Sequence, residues 1–344
     1  MTRILTYYEI NPLAWKKLVD ESPYATWFQT QEAYQFYAAN KQEMTPFACG
    51  VERDGELRAV CVGYVTKERS RVKQFYTRRA IIIGGPLIAD SANEEDVARL
   101  LYTIRQPEVL ITVSSFCPTW RNFPIYIETR NFNDYSRWRE VFEASGFAYQ
   151  PHLNIQVACN EAHTMSEQRR RQVKKAISNG AIISEVQTEQ EIHDWYEILY
   201  NLYSEKVRTP LFSVEFFLEF YRKGWGKYLL VKHEGKVIGG MMCPILEGRA
   251  IYEWYVCGLD EDYRDQYPSV MATYAAIEYA KANGLPLFDF MGAGKPDANY
   301  GVRDFKKEFG GEVVEHGRFL CVRRPLLYAI GKLGVRYLKN KTNK

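Results

Sequence analysis

The sequence has no apolar run long enough to cross a membrane. Its longest run, at residues 80–89, has half the roughly 20 residues that a transmembrane helix needs, and Gly84, Gly85 and Pro86 interrupt it. Residues 1–10 lack a basic segment followed by an apolar run, so we predict no signal peptide. Both absences favour a cytoplasmic location.

Motifs for metal binding and redox chemistry are also missing. None of the seven cysteines stands in C-x-x-C spacing, and the five histidines form no spaced cluster. We therefore expect no metal site, and we expect the cysteines to be small core residues in a reducing compartment. The formal net charge of +3 is too small to indicate a nucleic-acid partner by itself.

The chain has the length and composition of about two globular domains. It contains 344 residues, of which 46% are hydrophobic and 25% are charged, and these ordinary values exclude a largely disordered protein.

The sequence also repeats itself. Two hairpin turns, Asp54-Gly55 and Glu234-Gly235, lie 180 residues apart, and each separates two β-rich runs. Later in each half, residues 139–146 align with residues 303–310 at an offset of 164. Each half reads as helix, helix, hairpin, strand, helix, strand, helix and a closing pair of strands. This order predicts an α/β protein with mixed sheets and helices on both faces.

The boundary between the halves is predicted near residues 151–161. In the first half, the closing pair is expected to join residues 147–150 to residues 154–158. In the second half, it is expected to join residues 312–314 to residues 318–322.

The last segment, residues 323–344, is separate from both halves. Leu326, Ile330, Leu333 and Tyr337 have helical spacing, and the segment is basic throughout. Either this helix packs onto one of the domains, or it contacts an anionic membrane at the inner face as a peripheral element.

Three segments of the second half resemble those of a known family. They are the basic helix at residues 167–177, the stretch at residues 199–211, and the stretch at residues 288–311 that contains Phe305-Lys306. Together with the duplication, they make the chain similar to the FemA, FemB and FemX aminoacyltransferases of peptidoglycan bridge formation and to the related BioF2-like acetyltransferase domain. The resemblance implies two tandem GNAT-like N-acyltransferase domains. The first would comprise residues 1–150 and 324–344, and the second residues 151–323.

The resemblance also implies an activity. Members of this family transfer an aminoacyl group from aminoacyl-tRNA to an amine of a peptidoglycan precursor, without a cofactor. The chain has no stretch long enough for the helical arm that some members insert, so it is similar to the armless, FemX-like type.

Two residues are the candidates for catalysis. Lys306 matches the lysine of the family's Phe-Lys motif, whereas its partner in the first half is Phe142. It could stabilise the anionic intermediate, hold the tRNA 3′ end or act as a base; alternatively, it is a solvated lysine on a helix surface. Asp289 ends an apolar strand and could orient or deprotonate the incoming amine; alternatively, it is a buried acid that pairs locally.

Five further residues are candidates for substrate binding. Lys206 and Arg208 lie near the position where the resemblance implies basic contacts to the acceptor's phosphates, whereas the other three could instead be core or rim residues. Strand alternation predicts that the side chains at 253 and 255 share one face and that Trp254 faces the other way. The five candidates are Lys206, Arg208, Glu253, Tyr255 and Tyr300.

The sequence does not identify the acyl donor or the acceptor. Residues 258–269, where acyl-CoA enzymes of this fold bind pyrophosphate, contain four acids, one arginine and no glycine after Gly258, which argues against CoA. However, Phe36 and Phe212 stand where the family has basic residues that contact the acceptor's phosphates. An acyl-CoA-dependent N-acyltransferase acting on a sugar, lipid or small amine is therefore an alternative.

A third possibility is a scaffold without catalysis that binds an anionic partner through the basic helix. The cations of that helix are Arg169, Arg170, Arg171, Lys174 and Lys175.

Overall fold

The computed structural model divides the chain into two units. The first comprises residues 1–151 and 316–344, and the second comprises residues 152–315. Each unit is built around a mixed sheet of eight described strands. The residues that the structure describes are 1–68, 71–106, 109, 123–160, 165–298 and 301–342.

The first unit begins with a strand and two helices, which precede the first hairpin. Its elements up to the crossing into the second unit are β1 (Thr2–Thr6), α1 (Pro12–Glu21), α2 (Gln31–Ala39), β2 (Met44–Arg53), β3 (Glu56–Thr66), α3 (Arg71–Thr77), β4 (Ala80–Gly84), β5 (Leu87–Ile88), α4 (Glu94–Thr103), β6 (Tyr126–Asn131), α5 (Arg139–Ala144) and β7 (Ala148–Gln150).

The second unit follows the same plan, and the chain then returns to the first. The elements are β8 (Asn154–Ala158), α6 (Glu167–Ser178), β9 (Ile182–Glu185), α7 (Glu189–Leu202), a π-helical turn (Tyr203–Val207), α8 (Val214–Lys223), β10 (Gly226–His233), β11 (Lys236–Leu246), β12 (Ala250–Tyr252), β13 (Tyr255–Gly258), α9 (Pro268–Ala282), β14 (Leu287–Asp289), α10 (Gly301–Lys307), β15 (Glu312–Val314), β16 (Arg318–Val322) and α11 (Pro325–Thr342).

The two sheets have the same strand order. The first runs β1-β2-β3-β4-β6-β16-β7 with β5 beside β3, and the second runs β9-β10-β11-β12-β14-β8-β15 with β13 beside β11. In each sheet one pair is parallel, β4 with β6 and β12 with β14, and the other described pairs are antiparallel. The predicted α/β class with two mixed sheets is therefore confirmed.

The predicted closing pairs are wrong, because neither closing strand pairs with its neighbour along the chain. β16 lies between β6 and β7 in the first sheet, and β8 lies between β14 and β15 in the second. The return to the first unit is thus at His316, before the strand that the sequence assigned to the second domain. Proximity along the chain favoured local hairpins. Instead, each strand completes the sheet whose core its apolar side chains match, as Phe319 and Cys321 do in the first unit.

The hairpin turns confirm the repeat in detail. Both central residues of each turn have positive φ, with 53° and 80° at Asp54-Gly55 and 49° and 78° at Glu234-Gly235. Positive φ at both positions is the backbone geometry of a type I′ turn, which matches the twist of the flanking strands. Each hairpin also changes register at the same place, after Val51 and after Val231.

Aromatic side chains join aliphatic ones in the core of the first unit. The rings of Phe142 on α5 and Phe319 on β16 stack with centroids 4.0 Å apart, and both side chains are buried. In the second unit, Phe305 of the equivalent helix α10 and Phe309, which follows that helix, pack in the same way on the core of their own sheet. Within the described part of the chain, no helix is both long and apolar enough to span a bilayer.

Replacing Phe142 by alanine tests how far this core depends on that contact. We expect Phe142→Ala to lower the free energy of unfolding by about 3–5 kcal/mol, because it leaves a cavity under the sheet. Urea unfolding followed by tryptophan fluorescence measures the change. Tyr102→Ala, at an exposed aromatic residue on α4, is the control and should change stability by less than about 0.5 kcal/mol. Equal effects of the two substitutions would contradict the assignment.

Candidate functional site

The site is built around a bulge between β12 and β13. Ile251 pairs with Ile245 and Tyr255 pairs with Met242, so residues 252–254 stand opposite only two residues of β11. One extra residue bends the strand and changes the side-chain alternation. β12 also pairs with β14, but β13 has no described partner on that side. The pairing along this edge therefore ends at Asp289, and β13 continues without β14 beside it.

The bulge sends Glu253 and its neighbours in directions that alternation did not predict. The carboxylate of Glu253 contacts Lys306 on α10. Tyr255 and Trp254 both pack against Phe216 on α8, with ring centroids 6.2 and 5.5 Å away. The prediction that Glu253 and Tyr255 share a face opposite to Trp254 is wrong, because it assumed a regular strand.

Lys306 is buried, with only 7% of its surface exposed. Its Nζ lies 2.9 Å from Oε1 of Glu253 and donates hydrogen bonds to the carbonyl oxygens of Phe290 (2.8 Å) and Gly292 (2.9 Å). A lysine ammonium has three donors, so these three acceptors use all of them. The reading of Lys306 as a solvated surface residue is excluded, and Lys306 fixes the backbone that follows β14.

Burying the Lys306–Glu253 ion pair costs free energy, because both charges lose their contact with water. Burial raises the pKa of the Glu253 carboxyl above its ordinary value, and the charge and hydrogen bond of Lys306 oppose that rise. A buried pair of this kind stabilises a fold little, yet losing one partner leaves an uncompensated charge.

Asp289 is fully buried at the end of β14. Its Oδ2 accepts a hydrogen bond from Nε2 of Gln156 on β8 (2.9 Å), and its Oδ1 accepts one from the backbone N–H of Met291 (2.6 Å). Burial raises the pKa of the Asp289 carboxyl to about 6, and the two hydrogen bonds limit the rise. A carboxyl with this pKa can accept a proton near neutral pH.

Asp289 and Lys306 are linked through the backbone rather than by direct contact. The N–H of Glu253 donates to the carbonyl of Asp289 (2.9 Å). Phe288 and Phe290 lie in the core cluster, so alternation puts the Asp289 side chain on the opposite face of the sheet from that cluster. Besides burial and the two hydrogen bonds, the charge of Lys306 lowers the pKa of Asp289 and that of Glu253 raises it. The three charged groups therefore lie near one another at the end of β12 and β14, although the Asp289 carboxylate does not contact the ion pair.

The first unit offers an internal comparison for this polar group. The strand registers place Ile82 at the position of Glu253, and the offset of 164 places Phe142 at that of Lys306. Both belong to the hydrophobic core of the first unit. The two positions that hold the Glu253–Lys306 ion pair in the second unit are thus occupied by apolar residues in the first unit.

Comparisons with known proteins agree with this architecture. Residues 165–307 match the family model of the acetyltransferase (GNAT) domain. Among solved structures, FemX is 14% identical with a TM-score of 0.69, and the match covers 96% of this chain and 99% of FemX. The chain folds as two tandem GNAT-type domains.

Two further structures share the tandem GNAT fold at low identity. L-PGS from Bacillus licheniformis is 12% identical with a TM-score of 0.56, and the match covers 95% of this chain and 97% of that one. A tandem GNAT protein from the clavulanic acid biosynthesis pathway is 9% identical with a TM-score of 0.54, covering 93% and 98%. No curated protein matches the sequence.

The predicted binding residues Lys206 and Arg208 lie on the π-helical turn of the second GNAT domain. Lys206 is exposed and pairs with Glu261 at 2.6 Å. Arg208 ends the turn with φ of 54° and is exposed beside an open pocket of about 340 Å³, which Tyr203 also lines. The ring of Tyr203 lies 6.1 Å from that of Tyr255, so the turn adjoins β13. Tyr300 falls outside the described residues.

The N-terminus of α9 in the second GNAT domain is already occupied by a carboxylate. Oδ1 of Asp260 accepts a hydrogen bond from the backbone N–H of Ser269 (3.0 Å), and Oδ2 accepts one from the Ser269 hydroxyl. A pyrophosphate at this helix end would compete with Asp260 for the same donors. Within the described residues, no group of three or more His, Cys, Asp or Glu side chains is placed to hold a metal ion.

The basic helix α6 is less exposed than its sequence suggested. Arg169 is buried: its Nε lies 2.7 Å from Glu308, and its guanidinium carbon lies 4.4 Å from the ring centroid of Phe305. Lys175 pairs with Asp265 at 2.7 Å. Helical periodicity puts Arg169 on the buried face, so the predicted basic face loses one of its five cations.

One residue of the site was not predicted. The sequence pattern places Gln156 only in a closing strand, yet its side chain donates a hydrogen bond to the Asp289 carboxylate. The registers equate it with Leu320 in the first domain, so a polar residue where the repeat has an apolar one was the available signal.

The Lys306–Glu253 pair predicts a coupled effect on stability. We expect Lys306→Met to lower the free energy of unfolding by about 3–5 kcal/mol, because it leaves Glu253 buried and unpaired. The double variant Lys306→Met with Glu253→Leu should lose clearly less than the sum of the single losses. Lys307→Met, at the exposed neighbouring lysine, is the control. Additive losses in urea unfolding would show that the pair is not coupled.

The raised pKa of Asp289 predicts a pH-dependent stability. The pKa of Asp289 is 3.8 in the unfolded chain and about 6 in the folded protein, so the folded state binds the proton more tightly. The stability gained from this protonation is fully present below pH 3.8 and is lost as the pH rises through about 6. Between about pH 5 and about pH 8, the wild type should therefore lose about 1 kcal/mol of unfolding free energy relative to Asp289→Asn. Denaturation at both pH values measures the difference, and no change with pH would contradict the assignment.

Proposed function

We propose that the protein is an N-acyltransferase that passes an aminoacyl group from aminoacyl-tRNA to an amine of a peptidoglycan precursor. The observation that carries the proposal is the buried group of Glu253, Asp289 and Lys306, which lies where the pairing of β12 with β14 ends. The first domain has Ile82 and Phe142 at the positions of the ion pair. We therefore assign the reaction to the second domain.

The proposed reaction forms one bond and breaks one. The amine nitrogen attacks the ester carbonyl carbon, a C–N bond forms, and the C–O bond to the ribose of the tRNA breaks. The amine loses a proton, and the leaving oxygen gains one. We assign the proton transfer to Asp289, because a carboxyl with a pKa of about 6 is mostly ionised at neutral pH. Asp289 ends its strand opposite Tyr252, next to the bulge that leads into β13, and we place the substrates at this point.

Lys306 has a positioning role in this proposal. Its three hydrogen-bond donors are already used, so it holds the carbonyls of Phe290 and Gly292 rather than a substrate. The backbone between them carries the Met291 N–H that binds Asp289. Lys306 thus supports the conformation in which Asp289 is held.

The choice of aminoacyl-tRNA over acyl-CoA rests on the end of helix α9. Asp260 occupies the donors of Ser269 that a CoA pyrophosphate would need, and its negative charge would repel the phosphates. The fold likeness to FemX supports the same choice. An acyl-CoA-dependent enzyme remains the alternative, because the matching family model is that of an acetyltransferase domain.

The two positions at which the family has basic residues for the acceptor's phosphates carry no charge here, so other residues must supply a cation. Phe36 is buried, and the ring of Phe212 stacks on Phe216 at 4.4 Å, so neither position supplies a charge. We assign this role to Arg208 on the π-helical turn, with Lys206 next to it. Tyr255 connects this turn to the reacting end of β13.

A direct assay tests the proposal. Purified protein should form an amide product, detected by mass spectrometry, from charged tRNA and a muramyl-pentapeptide precursor. Asp289→Asn should lower kcat by at least about 100-fold and remove the rise in rate through about pH 6. Lys307→Met should leave the rate unchanged.

The same assay separates the two donors. Turnover with acetyl-CoA and none with any charged tRNA would contradict the proposed donor, and CoA should then raise the melting temperature in a thermal-shift titration. If neither donor gives a product, and Asp289→Asn leaves the cellular phenotype intact, the scaffold alternative replaces the enzyme.

A further inference from the structure

The C-terminal helix α11 carries an exposed apolar stripe. Leu326, Ile330 and Leu333 are 83%, 58% and 66% exposed. Their spacing of four and then three residues puts them on one face of a helix with 3.6 residues per turn. Large apolar side chains this exposed at consecutive turns of one helix face mark a surface that binds something.

The other side of the helix is attached to the first domain. The ring of Tyr328 lies 5.6 Å from that of Tyr126 on β6, and the preceding Arg324 lies over the ring of Phe75 at 4.9 Å. Leu327 and Tyr328 are half-buried, whereas the stripe is not. The first turn of α11 is therefore held against the first domain, and the apolar stripe faces solvent.

All charged side chains of the C-terminal segment are basic. Residues 323–344 contain seven of the chain's 45 basic residues and none of its 42 acidic ones. The remaining 322 residues thus carry 38 basic and 42 acidic side chains. The excess of positive charge in the whole protein is therefore concentrated in the segment that holds the apolar stripe.

We propose that α11 docks the protein on an anionic lipid bilayer, with Leu326, Ile330 and Leu333 inserted at the level of the headgroups. An apolar stripe in a segment rich in lysine and arginine has the two features by which an interfacial helix binds a membrane. A second copy of the chain is a poorer partner, because two such segments would bring together like charges. The helix lies on the bilayer without spanning it, in keeping with its hydropathy. This inference does not depend on the proposed reaction.

Co-sedimentation of the full chain with vesicles tests the proposal. The protein should pellet with vesicles of equal parts phosphatidylcholine and phosphatidylglycerol, and pellet poorly with phosphatidylcholine alone. The double variant Leu326→Asp with Ile330→Asp should lower the apparent affinity for the anionic vesicles by about tenfold or more. High salt should weaken wild-type binding because it screens the cations.

The matched control is Leu13→Asp on α1, which changes a 79% exposed leucine of the first domain. It should bind vesicles like the wild type, and all variants should keep the wild-type melting temperature. Equal pelleting of the double variant and the wild type would overturn the proposal. So would equal binding to both kinds of vesicle, or a stripe-dependent dimer in gel filtration without any vesicle binding.

Discussion

The constraint on which the site depends is the burial of one ammonium group. Lys306 reaches from α10 to Glu253 in the β12–β13 bulge and to two carbonyls beyond β14, so a single side chain joins three segments. A buried charge is stable only if every donor is satisfied, which means that these segments must keep their relative positions. The backbone that binds Asp289 is held as a consequence.

The duplication shows that the fold itself does not need this charge. The first domain builds the same strand order with Ile82 and Phe142 at the positions of Glu253 and Lys306. Apolar residues of suitable size generally stabilise a core at least as well as a buried ion pair. A polar group retained in one copy of a repeated core, beside a carboxyl with a pKa of about 6, is the pattern expected of a functional site.

Local signals in the sequence predicted the repeat, both hairpins and the α/β class, because turn residues and apolar periodicity act over a few residues. Asp289 was selected as an acid in an apolar strand, whereas Lys306 was selected because its repeat partner is Phe142 and because it matches the lysine of the family's Phe-Lys motif. The partners of β8 and β16 were not predicted, because both strands have the same apolar pattern and only tertiary packing decides which sheet each one joins. The directions of Glu253 and Tyr255 were missed because one inserted residue in a bulge leaves no mark on alternation that a single sequence reveals.

A crystal structure of the Lys306→Met variant tests the central claim most directly. If the ammonium holds the segment after β14, the backbone of residues 290–292 should leave its position, and the Met291 N–H should no longer bind Asp289, while β12 and β14 stay paired. An unchanged backbone at residues 290–292, with the bond to Asp289 intact, would contradict the account.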